Sequence, residues 1–171
     1  MKKLLILFLI SYIGNSQEFK YDENGFINKE VVRTVNLSAE ETQEKVSEWI
    51  EYYYKNPDFV KKGSVDSKFL RFSGMREYGN KKIGMGVVVP FNLYYTLRVD
   101  FKNEKYRLVV EQADYVPEGT AVISKQKVKG GKKLKQAYEE YYTDVINDIN
   151  SIEISLYNYV SGKENLTSDN W

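Results

Sequence analysis

Leu93-Tyr94-Tyr95-Thr96-Leu97-Arg98-Val99-Asp100-Phe101 is the stretch whose pattern decides the fold. Leu93, Tyr95, Leu97, Val99 and Phe101 recur at every second position, with Tyr94, Thr96, Arg98 and Asp100 between them. Successive side chains of a strand point to opposite faces, so this alternation predicts a strand with one apolar and one polar face. Tyr106 to Gln112 continues the alternation after Lys102-Asn103-Glu104-Lys105, a connection of hairpin length. The pairing sets Phe101 opposite Tyr106, Val99 opposite Leu108 and Leu97 opposite Val110. Asp100 then opposes Arg107 on the polar face, and that cross-strand charge pair supports the register.

Outward from the hairpin, the remaining elements follow. Lys29 to Leu37 predicts a strand with Val31, Val35 and Leu37 on one face. Ser38-Ala39-Glu40-Glu41 is a capping box, in which the Ser hydroxyl accepts from an N–H three residues on and Glu41 reaches back. Behind it Ala39, Val46, Trp49, Ile50 and Tyr53 lie at helical spacing, so a helix is expected over 39–54. Asn56-Pro57 ends it, because the residue before Pro avoids the helical region. Val65 to Phe72 and Lys82 to Val89 are expected as two strands separated by a Gly-rich turn over Gly74 to Asn80. A short strand over Ala121 to Ser124 closes the sheet. After Gly130-Gly131 a long helix is expected over 133–160. Its apolar stripe is Leu134, Tyr138, Tyr141, Val145, Ile149, Ile152, Leu156 and Tyr159. Gly162 is a natural stop.

Consecutive hairpins imply antiparallel pairing, and two amphipathic helices need one apolar sheet face to cover. The expectation is α+β: a two-layer sandwich of about five antiparallel strands with two helices on one face, in the order β-α-β-β-β-β-α.

The run Val31-Val32-Arg33-Thr34-Val35-Asn36-Leu37-Ser38-Ala39-Glu40-Glu41, with Trp49-Ile50 behind it and hairpins to about Glu111, resembles an exported family of Bacteroidota-type bacteria. That family is the domain of unknown function 4468, with a TBP-like fold. The resemblance implies a curved antiparallel sheet with helices on one face. It carries no activity and no site residue to transfer, and TBP-like here describes shape, with no implication of DNA binding.

Met1–Ser16 has the three parts of a secretory signal peptide. Lys2 and Lys3 form the positive start, Leu4 to Ile13 the apolar run, and Gly14 and Ser16 the small residues before a cut at Gln17. The apolar run is too short to span a bilayer, which needs about 20 residues. The organisation expected is therefore signal peptide 1–16, flexible lead-in 17–27, one α+β domain 28–162 and polar tail 163–171. The mature chain is expected to be periplasmic or secreted, with no transmembrane segment.

The chain has 171 residues, no His and no Cys. Disulfides, Cys or His metal sites and triad-type nucleophilic catalysis are excluded. Lys2 and Lys3 belong to 25 Lys+Arg set against 24 Asp+Glu, so the mature balance is about −1. No nucleic-acid partner is expected from that balance. No cofactor or metal is expected either.

The polar sheet face supplies the candidate interaction surface: Tyr94, Arg98, Arg107, Glu111 and Arg71. Tyr and Arg are enriched at interfaces, while antiparallel sheets commonly leave one face wet. The clusters Tyr52-Tyr53-Tyr54, Tyr94-Tyr95, Tyr138 and Tyr141-Tyr142 cannot all face a core, which leaves Tyr94 and Tyr142 as contact candidates. Lys125, Lys127, Lys129, Lys132, Lys133 and Lys135 form a basic run suited to an anionic surface or to guarding a sheet edge. Asn165-Leu166-Thr167 matches a glycosylation acceptor by chance, and Gly84-Met85-Gly86 lacks the context of a phosphate loop.

The functional expectation is a non-catalytic binding module of the cell envelope, its partner an envelope protein or a polymer. The alternatives are a carrier holding an apolar or amphipathic small molecule between sheet and long helix, and a carboxylate-only glycan hydrolase with two carboxylates about 5–9.5 Å apart.

Overall fold

A computed structural model describes residues 18–22, 25–84, 87–116, 120–121 and 131–163. The N-terminal address, Met85-Gly86, the segment 122–130 with Lys125, Lys127 and Lys129, and the tail from residue 164 lie outside the described residues. The elements in chain order are β1 (Lys20–Asp22), β2 (Gly25–Asn28), β3 (Glu30–Thr34), α1 (Ala39–Tyr53) and α2 (Pro57–Val60). They continue with β4 (Lys61–Val65), β5 (Phe69–Gly84), β6 (Val87–Lys102), β7 (Lys105–Val116), β8 (Thr120–Ala121) and α3 (Lys132–Val160).

The main sheet is antiparallel, in the order β3-β7-β6-β5-β4, and β8 joins the edge of β7 beyond β3. The β6–β7 register is the expected one: Phe101 faces Tyr106, Asp100 faces Arg107, Val99 faces Leu108 and Leu97 faces Val110. Lys102 and Lys105 also pair, so the turn itself is Asn103-Glu104, with Glu104 at φ 64.

Two expected strands need redrawing. The run Val65–Phe72 is cut by a turn at Asp66-Ser67-Lys68. Lys68 N donates to Val65 O at 3.0 Å there, and Ser67 takes φ 54. The region Gly74–Asn80 is strand and not turn, because β5 runs unbroken from Phe69 to Gly84. Its glycines have other jobs. Gly74 pairs with Tyr95, and an added Cβ would sit 2.3 Å from the Tyr95 hydroxyl. Gly79, at φ +74, lies in an irregularity between Glu77 and Asn80. A glycine in a strand marks a close approach or a bulge as readily as a turn. The run Lys82–Val89 is likewise two strand ends, with Lys82 opposite Val88 and Gly84 opposite Val87.

Both long helices pack on one face, as expected. The capping box forms: Ser38 Oγ accepts from Glu41 N at 3.2 Å, and Ser38 N donates to Glu41 Oε2 at 2.7 Å. Trp49 is fully buried, stacked on Tyr53 and edge-on to Phe72. Its indole N–H donates to Ser155 Oγ on α3 at 3.2 Å. Tyr141, Val145, Ile149, Ile152 and Leu156 of the α3 stripe are buried in one cluster with Val31, Leu97, Val99 and Leu108. Tyr142 is buried in that cluster as well, so it is core and not a contact candidate. The helix turns it inward beside Tyr138 and Tyr141.

Within the stretch read as a flexible lead-in, the described residues form two strands. β1 pairs with β2, and Phe19 and Phe26 are buried against the main core. Asn150 of α3 clamps the backbone of Phe19, accepting from its N at 2.9 Å and donating to its O at 3.0 Å.

Candidate functional site

Alternation sends Arg71, Arg98, Asp100, Arg107 and Glu111 to the face away from the helices, and β7 is bulged at Glu111. Leu97 pairs with Val110 while Thr96 pairs with Gln112, so Glu111 is the extra residue. A bulge re-aims a side chain and resets the pleat. Val110 and Ala113 are therefore both buried although three positions apart.

The Glu111 carboxylate does electrostatic work. Arg71 and Arg98 are direct cross-strand partners, a like-charge pair that would repel. Glu111 bridges them. Arg71 Nε and Nη2 donate to its two oxygens, the Nη2 bond at 3.0 Å, and Arg98 Nη1 donates to Oε1 at 2.9 Å. The hydrogen bond from Arg71, with help from Arg98, holds the Glu111 carboxyl below the usual carboxylate range.

The network continues along the strands. Arg98 Nε lies 2.9 Å from Asp100 Oδ1. Arg107 Nη2 donates to Asp100 Oδ2 at 2.7 Å, and its Nη1 donates to Glu30 Oε2 at 3.1 Å. These bonds raise the Arg107 guanidinium, Asp100 foremost. The result is a chain of alternating sign: Arg71, Glu111, Arg98, Asp100, Arg107, Glu30. Tyr94 stands apart from it, half exposed and opposite the exposed Met75. Of the five sequence candidates, the four charged residues are thus joined in one network and Tyr94 is not.

Asp100 and Glu30 complete the network, and the expected pairing of Asp100 with Arg107 is part of it. A groove of about 240 Å³ opens beside them, lined by Glu30, Val32, Asp100, Lys102, Lys105 and Arg107 among others. A second groove, about 400 Å³, runs along α1 between Glu40, Glu44, Glu48, Glu51 and Asp66. Among the described residues no group of three or more carboxylates is placed to hold a metal ion. No helix among them is long and apolar enough to cross a membrane. Lys132, Lys133 and Lys135 of the basic run are exposed at the start of α3.

Among the described residues the most buried ionic contact lies elsewhere and was missed from sequence. Arg33 donates from Nε and Nη2 to the two oxygens of Glu153, both at 2.6 Å, inside the sheet–helix interface. The available signal was a lone charge on each apolar face, Arg33 between Val31 and Val35, and Glu153 beside Ile152.

The fold and its one-sided sheet define an open-sheet α+β domain of the kind expected from Val31–Glu111. No protein-family model matches the chain, and no curated protein matches it significantly. Solved structures do. A DUF4468 family protein from Bacteroides ovatus superposes with TM-score 0.53 at 11% identity, over 81% of this chain and 90% of that one. A TBP-like protein from Parabacteroides distasonis gives TM-score 0.49 at 13% identity, over 76% and 92%. The resemblance read from sequence is matched by the first of these, and at 11% identity the likeness is one of fold.

Proposed function

We propose that the chain is exported to the cell envelope and acts there by binding a macromolecular partner through its open sheet face, without catalysis. The observation that carries this reading is the six-residue charge network, held in register across four strands on the face that the helices leave open. Ordered Arg–carboxylate pairs present fixed donors and acceptors at low entropic cost, and suit recognition better than freely rotating charges. A carboxylate that serves as general acid needs a raised pKa. Glu111 is pushed the other way, by Arg71 and Arg98. The carrier alternative has less support, since the α3 stripe is packed into the core and neither of the two grooves is lined by it.

The test is capture from envelope extract, comparing the native chain with an Arg98→Glu variant. The expected result is a partner retained by the native chain and lost from the variant. Equal recovery by both, or recovery of nothing by either, refutes the reading.

A further inference from the structure

The open face is self-complementary, and we propose that its partner is a second copy of this chain, docked face to face about a two-fold axis. This rests on the reading of the open face as the binding surface and names the occupant.

The argument comes from the register. One row across the sheet is Val32, Arg107, Asp100 and Phe69, on β3, β7, β6 and β5. The next row is Glu30, Val109, Arg98 and Arg71 on the same four strands. A two-fold axis lying in the interface, parallel to the strands and between β7 and β6, keeps each row and reverses its order. Arg107 then meets Asp100 of the second copy, and Asp100 meets its Arg107. Glu30 meets Arg71 of the second copy, and Arg71 meets its Glu30. Val32 meets Phe69. Each of these four charges on one copy meets its opposite on the other, the terminal apolar residue of the first row meets an apolar residue, and Arg98, neutralised by Glu111 and Asp100 of its own chain, meets Val109.

The groove supports the same docking. It contains Val32 between Glu30 and Arg107, at the place where Phe69 of the second copy arrives. Among the opposed charges, side-chain exposure is 50% for Glu30, 38% for Arg71, 42% for Arg107 and 24% for Asp100, so each retains surface to offer. A two-fold interface uses one patch twice, so every complementary contact counts double. Because the contacts are ionic and half exposed, the association is weak and salt-dependent.

Sedimentation velocity of the purified protein tests it, with Glu30→Arg, Arg71→Glu and their equimolar mixture. The native chain is expected to self-associate reversibly below about 1 mM, and to dissociate as salt rises from about 0.01 M to about 0.15 M. Each single variant sets like charges together twice, and should weaken association about tenfold or more. The mixture restores both contacts and should regain association. In the mixed pair the arginine introduced in one chain faces the glutamate introduced in the other, and the untouched Arg71 and Glu30 face each other as in the native pair. Misfolded variants would not rescue one another, so recovery in the mixture separates docking from folding. A native chain that stays monomeric at low salt, single variants that associate as the native chain does, or a mixture without recovery overturns the proposal. Capture of a different envelope component by a monomeric chain overturns the dimer and leaves the binding reading standing.

Discussion

Arg33 and Glu153 are 120 residues apart in sequence and meet in a bidentate ion pair at 2.6 Å, with Glu153 fully buried. The pair ties edge strand β3 to α3. The Tyr157 ring lies 4.8 Å from the Arg33 guanidinium, and Tyr106 has its hydroxyl buried alongside without a hydrogen-bond partner. Removing one partner of a buried pair strands the other charge, which costs about 3–5 kcal/mol. Glu153→Ala should therefore lower unfolding stability by about that much in urea titration. Arg33→Met with Glu153→Leu removes both charges and should recover most of the loss. A double variant as unstable as Glu153→Ala would show that the pair acts through something other than charge.

Gly74 should not tolerate a side chain. A Cβ there would meet Tyr95 Oη at 2.3 Å and Cζ at 2.5 Å. Tyr95 cannot swing away freely, because it is 3% exposed and its hydroxyl is 3.0 Å from that of Tyr54. Overpacking of this kind costs about 1–3 kcal/mol. Gly74→Ala should lose that much by thermal or chemical unfolding, and Tyr95→Leu in the same chain should relieve it.

Stability should fall at both ends of the pH scale. Burial raises Tyr54, Tyr78, Tyr95 and Tyr106 above the ordinary 10.0, since ionised phenolate is poorly solvated in the core. A raised folded-state pKa contributes stability that is full below pH 10 and lost as pH rises beyond it. Glu111 is shifted down from 4.5, so its contribution is present above that pH and lost as pH falls through the folded value. Denaturation midpoints across pH, together with phenolate absorbance, check both limbs. Buried tyrosines that ionise while the fold persists would contradict the alkaline limb.

Export makes a simple prediction. Intact mass of the chain recovered from the envelope fraction should begin at Gln17, with Met1–Ser16 removed. Recovery of the full-length mass from that fraction, or from cytoplasm alone, would contradict cleavage.

The parts of this fold legible in sequence are those whose information is local. Alternation and a short turn place Leu97 opposite Val110, and Ser38 with Glu41 announces α1. What escaped depends on residues met from afar. Gly74 reads as a turn until Tyr95 is known to lie across it. The open-face candidates were found by parity, but the role of Glu111 needs the β5–β6 register that puts Arg71 beside Arg98. Tyr94 shares the strand and the parity of Arg98, yet its cross-strand partner is Met75, and nothing local to Tyr94 says that the ionic network ends before reaching it.

The clamp on Phe19 by Asn150 spans 131 residues, and the Arg33–Glu153 pair spans 120. Contacts of such separation form late and slow the folding of a chain. During synthesis, the β1–β2 hairpin and β3 wait for α3, which leaves the ribosome after them. Core closure is thus held back until α3 has been made, and until then β3 carries Arg33 without the carboxylate that pairs with it.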